Sequence, residues 1–226
     1  MRGVIFAAHP LQTPDTDAGT ALTGNMGGGH RGQARRVAPR FTPPLSSNMG
    51  KVIYYVASSL DGYIATEDNK LDWLLDFGFD AFQTHYDQFL AGVGALVMGS
   101  VTYDFVRAED PDSWAYGSLP CQVLTSRNLQ SPPDSGVRFA AGDIRDVCAA
   151  AVADAGRRNV WVVGGGHVAA QFAQAGLLDE LRVTYMPVAL GKGRPLLPVA
   201  APTGRMRLTG TTSFNGGAAE LRFSAE

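Results

Sequence analysis

Thiols are scarce in this chain. Cys121 and Cys148 are the only 2 cysteines in 226 residues, too few for a disulfide framework, and neither has a partner at metal-ligand spacing. A reducing, cytoplasmic setting and no bound metal are therefore expected. No apolar run approaches the roughly 18 residues a membrane helix needs, and the stretch Val4 to Ala8 is too short for a signal-peptide core. A strong charge imbalance is also missing: the formal net charge is -2, and the basic residues are scattered rather than striped, which argues against a nucleic-acid partner.

Residues 1–48 lack any sustained period of 2 or 3.6. They are rich in Gly, Pro, Thr and Arg, carry the run Gly27-Gly28-Gly29, and read as a disordered extension. Arg31, Arg35, Arg36 and Arg40 stand among them as solvated charges rather than a basic arm. Met49 directly precedes the first good strand, so the natural start is expected there, with one domain over 49–226. The chain is 45% hydrophobic, ample for a core.

The chain is organised around the stretch Val160 to Phe172. Val160, Trp161, Val162 and Val163 make a short β-branched and aromatic run, the composition of a buried strand. Gly164, Gly165 and Gly166 break it, and Val168, Phe172 and Ala175 then keep helical spacing up to Gly176. A strand, a backbone without Cβ atoms and a helix N-terminus together form an anion site, because unpaired N–H groups and the positive dipole end point at whatever lies over the glycines. The alternative is that the glycines only permit a tight turn and close packing. Gly164, Gly166 and Ala169 also fit G-x-G-x-x-A, but Asp179 and Glu180 come too early for the acidic residue of a Rossmann unit.

Two other strand ends repeat the theme. The run Ala95 to Met98 leads into Gly99-Ser100-Val101-Thr102-Tyr103, where hydroxyls beside a helix start either bond a phosphate or merely cap the helix. The strand Gln122 to Arg127 ends in Thr125, Ser126 and Arg127, and a guanidinium supplies a fork of donors for an oxyanion. The first strand, Lys51 to Ser58, is apolar on both faces and runs into a sharp Asp61-Gly62 turn. Phe82, Tyr86, Phe89, Leu90 and Val93 share a helical face; His85 lies near it and reads as structural. Residues 107–118 read as a surface loop. Asp143 caps a helix that Gly156 ends. Strands over 181–188, 207–214 and 219–223 follow, with a glycine loop bearing Lys192 and Arg194, and Asn215-Gly216 marks a two-residue hairpin. Strand and helix alternate and close on a hairpin, which predicts an α/β fold with a mixed, mainly parallel sheet flanked by helices.

Taken in order, Ser59-Leu60-Asp61-Gly62-Tyr63-Ile64-Ala65, Val97 to Tyr103, Val163 to Val168 with Gln171-Phe172, and Leu177 to Leu181 with Pro187, Gly191 and Gly193 resemble the dihydrofolate reductase-like fold. Over about residues 50–225 the closer resemblance is to the reductase domain of the bifunctional riboflavin-biosynthesis deaminase/reductase, in stand-alone form. That resemblance implies NADPH as hydride donor and a homodimer paired through the C-terminal sheet. It places Gly99, Ser100, Thr102 and Tyr103 on the cofactor's phosphates, and Thr125, Ser126 and Arg127 on the 2′-phosphate. Gly164, Gly165, Gly166, His167 and Val168 fall along the pyrophosphate, with Ala57 and Ile64 at the nicotinamide. Leu60, Asp61 and Trp73 face the substrate, and Asp61 is the expected proton donor, or alternatively only orders its turn. The expected reaction is reduction of a small heterocycle of the 5-amino-6-(5-phosphoribosylamino)uracil type, with Lys192 and Arg194 available to a substrate phosphate. The alternatives are reduction of a folate or pterin, and a non-catalytic nucleotide-binding module. Ser100 stands where folate reductases have arginine, so preference for NADP over NAD rests on Arg127.

Overall fold

The computed structural model of the chain describes residues 50–226 apart from 110 and 112. The expected extension over 1–48 and the expected start at Met49 lie outside the described residues. The elements run β1 (Val52–Ser59), β2 (Tyr63–Ala65), α1 (Asp72–Leu75), α2 (Gln83–Ala91), β3 (Val93–Gly99), α3 (Ser100–Glu109), β4 (Cys121–Leu124), β5 (Val137–Ala140), α4 (Ile144–Ala155), β6 (Asn159–Gly164), α5 (Gly166–Gln174), β7 (Glu180–Met186), β8 (Arg194–Pro195), β9 (Met206–Ser213) and β10 (Ala219–Ala225).

Eight strands form one sheet in the order β5-β4-β3-β6-β1-β7-β10-β9, and β2 pairs with β8 in a separate ribbon. From β5 to β7 all neighbours are parallel, while β10 is antiparallel to both β7 and β9. The mixed, mainly parallel sheet with a C-terminal antiparallel hairpin is the architecture expected from the sequence.

Strand side chains alternate between faces, and here both faces are covered, so the central strands are apolar throughout. Val52 and Tyr54 of β1 join Ala95, Val97, Val160 and Val162 beneath α4 and α5. Ile53, Tyr55 and Ala57 join Leu96, Met98 and Trp161 on the opposite face, under Leu74, Tyr86, Phe89 and Tyr103 of α1, α2 and α3. Trp161 is fully buried, its Nε1 donates to the Tyr55 carbonyl at 3.0 Å, and Phe89 meets its ring edge-on at 5.3 Å. The indole thus brings its large apolar area into the core without stranding its one polar group.

Local signals set the helix ends. The Asp143 carboxylate accepts the Arg145 N–H at 2.9 Å, and Gly156, at φ +62°, stops α4, the pairing of an acidic N-cap with a left-handed glycine. His85 of α2 bonds the wholly buried carboxylate of Glu220 on β10 at 2.7 Å, which ties the helix to the hairpin.

Three expectations are corrected. Residues 107–118 are not a plain surface loop: α3 continues to Glu109, and Trp114, Ala115 and Tyr116 are buried, with Tyr116 meeting Trp161 at 5.9 Å. Acidic neighbours masked these aromatics in the sequence. The strand expected over Gln122–Arg127 is Cys121–Leu124, with Thr125 to Arg127 beyond its end, and β5 pairs beside it. Four residues with one exposed arginine give too short a pattern to read β5 from sequence. The hairpin turn spans three residues, Asn215 to Gly217, closed by the Phe214 N–H on the Ala218 carbonyl at 2.9 Å, because Gly216 and Gly217 both take positive φ.

Candidate active site

After β3 the chain moves outward through β4 and β5, returns to insert β6 between β3 and β1, and then leaves on the other side with β7. Such a reversal opens a crevice at the C-terminal ends of the strands. A bulge lies on its wall: Val97 pairs with Val162, but Met98 pairs with Gly164, so Val163 is an extra residue on β6. The crevice is a cavity of about 480 Å³, within the range of small-molecule sites.

Two helices begin at its wall. α3 starts at Ser100 directly from β3, and α5 starts at Gly166 directly after β6. The first N–H groups of each helix lack partners in their own helix and carry the positive dipole end. Between them the wall is bare backbone. A Cβ on Gly99 would lie 3.1 Å from Val168 Cγ2, and one on Gly164 would lie 3.2 Å from Thr102 Oγ1. The Gly164–Gly165 peptide is cis.

The three consecutive glycines differ in what surrounds them. Gly164 and Gly165 line the cavity, whereas a Cβ on Gly166 would meet the Pro195 carbonyl oxygen at 2.2 Å. Close packing, one of the two readings of the motif, accounts for Gly166, while Gly164 and Gly165 leave their backbone open to the cavity.

Of the residues singled out in the sequence, Ala57, Ile64, Gly99, Ser100, Thr102, Gly164, Gly165, His167, Val168 and Arg194 come together on the cavity wall. The others lie elsewhere. Tyr103 turns into the core, where its hydroxyl donates to the Gln130 carbonyl at 2.6 Å. Thr125 accepts the Arg127 N–H at 3.0 Å beyond the end of β4, next to exposed Ser126, and the Arg127 guanidinium reaches across to Asp104. Leu60 is exposed, with its N–H on the Val188 carbonyl at 2.8 Å. Trp73 packs against the core.

Asp61 stands outside the cavity and accepts three bonds: Ser59 Oγ at 2.6 Å, the Leu190 N–H at 3.0 Å and the Gly191 N–H at 2.6 Å. The Ser59 hydroxyl, followed by these backbone donors, holds its carboxyl down at about 2. A carboxylate that accepts several hydrogen bonds is held in its charged form. In this geometry Asp61 fastens its own turn to the segment after β7.

The sequence reading passed over several wall residues. Val101 and Phe105 share a face of α3 at helical spacing, Gln171 follows His167 by one turn of α5, and Leu71, Leu74 and Asn69 line the cavity together with Arg194. Helical period was the available signal for the first three. Nothing in the sequence pairs Asn69 with Arg194, 125 positions away.

The sheet order, with its cleft at the strand ends, is that of the dihydrofolate reductase-like fold. The chain belongs to the RibD C-terminal domain family, whose model matches residues 50–219. It is 33% identical over 173 residues to the uncharacterized protein YwjB of Bacillus subtilis strain 168, covering 76% of this chain and 97% of that protein. In structure it is similar to a candidate riboflavin-biosynthesis protein of Shewanella sp. PV-4, with a TM-score of 0.66 and 28% identity, over 78% of this chain and 99% of the other. It also matches a dihydrofolate reductase of Enterococcus faecalis complexed with NADP(H), with a TM-score of 0.54 over 79% of this chain and 98% of the other. At 15% identity that likeness shows the fold alone. The resemblance drawn from the sequence motifs holds, and the chain is reductase-like in the manner of riboflavin-biosynthesis proteins. Among the described residues no helix is long and apolar enough to cross a membrane.

Proposed function

We propose that the protein is an NADPH-dependent reductase of the riboflavin-biosynthesis type, acting on a small heterocycle, with 5-amino-6-(5-phosphoribosylamino)uracil as the first substrate to try. The observation that carries this reading is the convergence of two helix N-termini and the bare backbone of Gly99, Gly164 and Gly165 on one cavity. Such a wall fits a dinucleotide diphosphate, because it offers N–H donors and room where side chains would intrude. In this reading Ser100, Thr102, Gly165 and His167 hold the phosphates, and Ala57 and Ile64 bound the nicotinamide end. When bound, the cofactor supplies the hydride. The chain's own part is to orient the ring and to exclude water through the apolar end made by Tyr55, Leu71 and Leu74. Asp61 braces its loop and is not assigned a proton.

Reduction of a folate or pterin is less well supported, since no acidic residue lines the described cavity to grip a pteridine as the folate enzymes do.

The test is a titration with NADPH and with NADH, followed by tryptophan fluorescence, on the wild type and on Ser100→Asp. An acid in the first turn favours the helix dipole, so this variant keeps or raises Tm while repelling a phosphate. Binding weakened at least tenfold in Ser100→Asp is expected. Equal binding by the two proteins overturns the assignment of the cleft, and oxidation of NADPH by the uracil derivative tests the substrate.

A further inference from the structure

One row of the sheet carries polar side chains into the core. Ala57 of β1 pairs with Thr184 of β7, and Thr184 pairs with Glu220 of β10. Ala57 lines the cavity, so Thr184 stands one strand, about 5 Å, from a wall residue and Glu220 stands two strands, about 10 Å, from it. Thr184 and Glu220 are both fully buried. Tyr55 shares the face of Ala57, belongs with it and Leu74 to one core cluster, and like both of them lines the cavity. Its phenol meets the Thr184 hydroxyl and lies in the field of the Glu220 carboxylate. A hydroxyl beside a phenol and a carboxylate can accept from one and donate to the other, because its hydrogen rotates.

The row ends on α2. Glu220 Oε2 and His85 Nε2 lie 2.7 Å apart, a contact that needs a hydrogen between them, and the His85 side chain is 22% exposed. The other carboxylate oxygen, Oε1, faces Arg222 Nε at 3.4 Å and, like Thr184 Oγ1, closes no hydrogen bond among the described residues. Arg182, in the row of Tyr55, is bonded to Glu180, which also holds Lys51, and lies over the Phe89 ring at 5.2 Å. Tyr86 is the other phenol in the field of Tyr55. An apolar pair would fill the Thr184 and Glu220 positions at lower cost than a hydroxyl and a carboxylate.

Reduction of a C=N or C=O bond needs a proton as well as a hydride. As the carbon accepts the hydride, the π pair moves to the nitrogen or oxygen, and that atom takes up the proton. No aspartate or glutamate lines the described cavity, and Asp61 stands outside it, held in its charged form. Burial, and after it the Glu220 charge, pushes the Tyr55 phenol up, which keeps it protonated at neutral pH. The anion left by hydride addition is basic enough to take that proton.

We infer that Tyr55 is the proton donor of the reduction and that Thr184, Glu220 and His85 return a proton to it from solvent. This deepens the reductase reading and rests on it. The Oη–H bond of Tyr55 breaks as the N–H or O–H bond of the product forms. Tyr55 then recovers a proton from Thr184, Thr184 from Glu220, and Glu220 from His85, which regains its own from water. One hydride and one proton are added to the substrate, and the four residues end as they began. Tyr55 is the catalytic residue, and the other three act through it.

Exchange of the tyrosine hydroxyl hydrogens with water tests the relay without turnover. The full chain, carrying tyrosine labelled with carbon-13 at Cζ and without any cofactor, is followed by NMR in mixed light and heavy water. Tyr54 is the control: it is fully buried on the opposite face, with its hydroxyl on the Leu196 carbonyl at 3.1 Å. The Tyr55 hydroxyl should exchange at least tenfold faster than that of Tyr54. Thr184→Val, Glu220→Gln and His85→Gln should slow it to the Tyr54 rate, and Thr184→Ser, which keeps the hydroxyl, should not. Exchange at Tyr55 unchanged in Thr184→Val and Glu220→Gln overturns the inference, because cavity water would then serve the phenol by itself. A second arm adds NADPH and 5-amino-6-(5-phosphoribosylamino)uracil. Tyr55→Phe should lower kcat by about a hundredfold or more, with KM and NADPH affinity within twofold, and Thr184→Val should lower it severalfold. Full turnover in Tyr55→Phe overturns the inference even where exchange is relayed. If exchange is relayed but the wild type binds neither NADPH nor NADH, the reductase reading fails and the proton path from solvent to the cavity stands by itself.

Discussion

Arg127 Nη2 lies 2.7 Å from Asp104 Oδ2 and 3.4 Å from the Ser100 carbonyl oxygen, so the residue expected to favour NADP over NAD already holds a carboxylate on the helix beside the cleft. Both side chains are about half exposed, and an exposed pair of this kind is worth about 1 kcal/mol or less. A 2′-phosphate brought to Arg127 has to compete with Asp104 and then sits beside its negative charge.

Removing that competitor should sharpen cofactor choice. Asp104→Asn is expected to tighten NADPH by about fivefold, the equivalent of about 1 kcal/mol, with NADH unchanged. Arg127→Ala should weaken NADPH alone by about tenfold. Parallel fluorescence titrations with the two dinucleotides read both effects, and a change in NADH of equal size would show that the pair only shapes the helix.

Two glycines should prove indispensable for a reason of space. A Cβ on Gly166 would lie 2.2 Å from the Pro195 oxygen, and one on Gly193 the same distance from the Ala65 oxygen. Both contacts involve backbone, which cannot rotate away. Gly166→Ala and Gly193→Ala should each destabilise the protein by about 1–3 kcal/mol in urea denaturation, whereas Gly204→Ala, with open space around its Cβ position, should not.

The bonds to Asp61 predict an acid-sensitive brace. Its folded-state pKa lies below the ordinary value of 3.8, at about 2, so the carboxylate's contribution is fully present above the unfolded value and is lost as pH falls towards the folded one. The stability difference between wild type and Asp61→Asn should therefore be constant above about pH 5 and shrink between about pH 4 and pH 2, as measured by urea denaturation at each pH. Turnover of a confirmed substrate should survive in Asp61→Asn, and its complete loss at unchanged Tm would restore the residue as a proton donor.

The last sheet edge calls for a partner. β9 is paired only with β10, and Leu208 on it is 52% exposed; an open edge with exposed apolar side chains is a template for association. A homodimer that covers this edge is expected in light scattering, and Leu208→Lys should shift the mass towards the monomer. A monomeric wild type at micromolar concentration rules this out.

Most of the sheet was legible because the central strands are apolar on both faces and end in glycine or hydroxyl residues, as in Val160 to Gly164 and Ala95 to Ser100. The same glycines marked the cleft, since bare backbone at a strand end has few other uses. What stayed hidden depended on distance in the chain. Trp114 and Tyr116 lie in an acidic stretch with no helical or strand period, and only the contacts of Tyr116 with Trp161 and of Trp114 with Tyr103 and Tyr116 reveal them as core. Lys192 and Arg194 look alike in the glycine loop, but Lys192 meets Glu67 and Arg194 meets Asn69, neither of them near it in sequence. Asp61 was left between two roles, and the geometry favours the brace because the N–H donors of Leu190 and Gly191 reach it from the segment after the neighbouring strand β7, 129 and 130 positions away.

β6 joins β3 to β1, yet it is made after β3, β4 and β5. On a ribosome, β1 and β3 have therefore been synthesised long before the strand that joins them exists, and about a hundred residues separate Val52 from its partner Val160. Sheets built on such remote pairings close slowly and leave apolar strands uncovered in the meantime. A nascent chain stopped before Asn159 should be a client for chaperones and proteases rather than a half-built enzyme, and the binding cleft and the closed sheet should be born together.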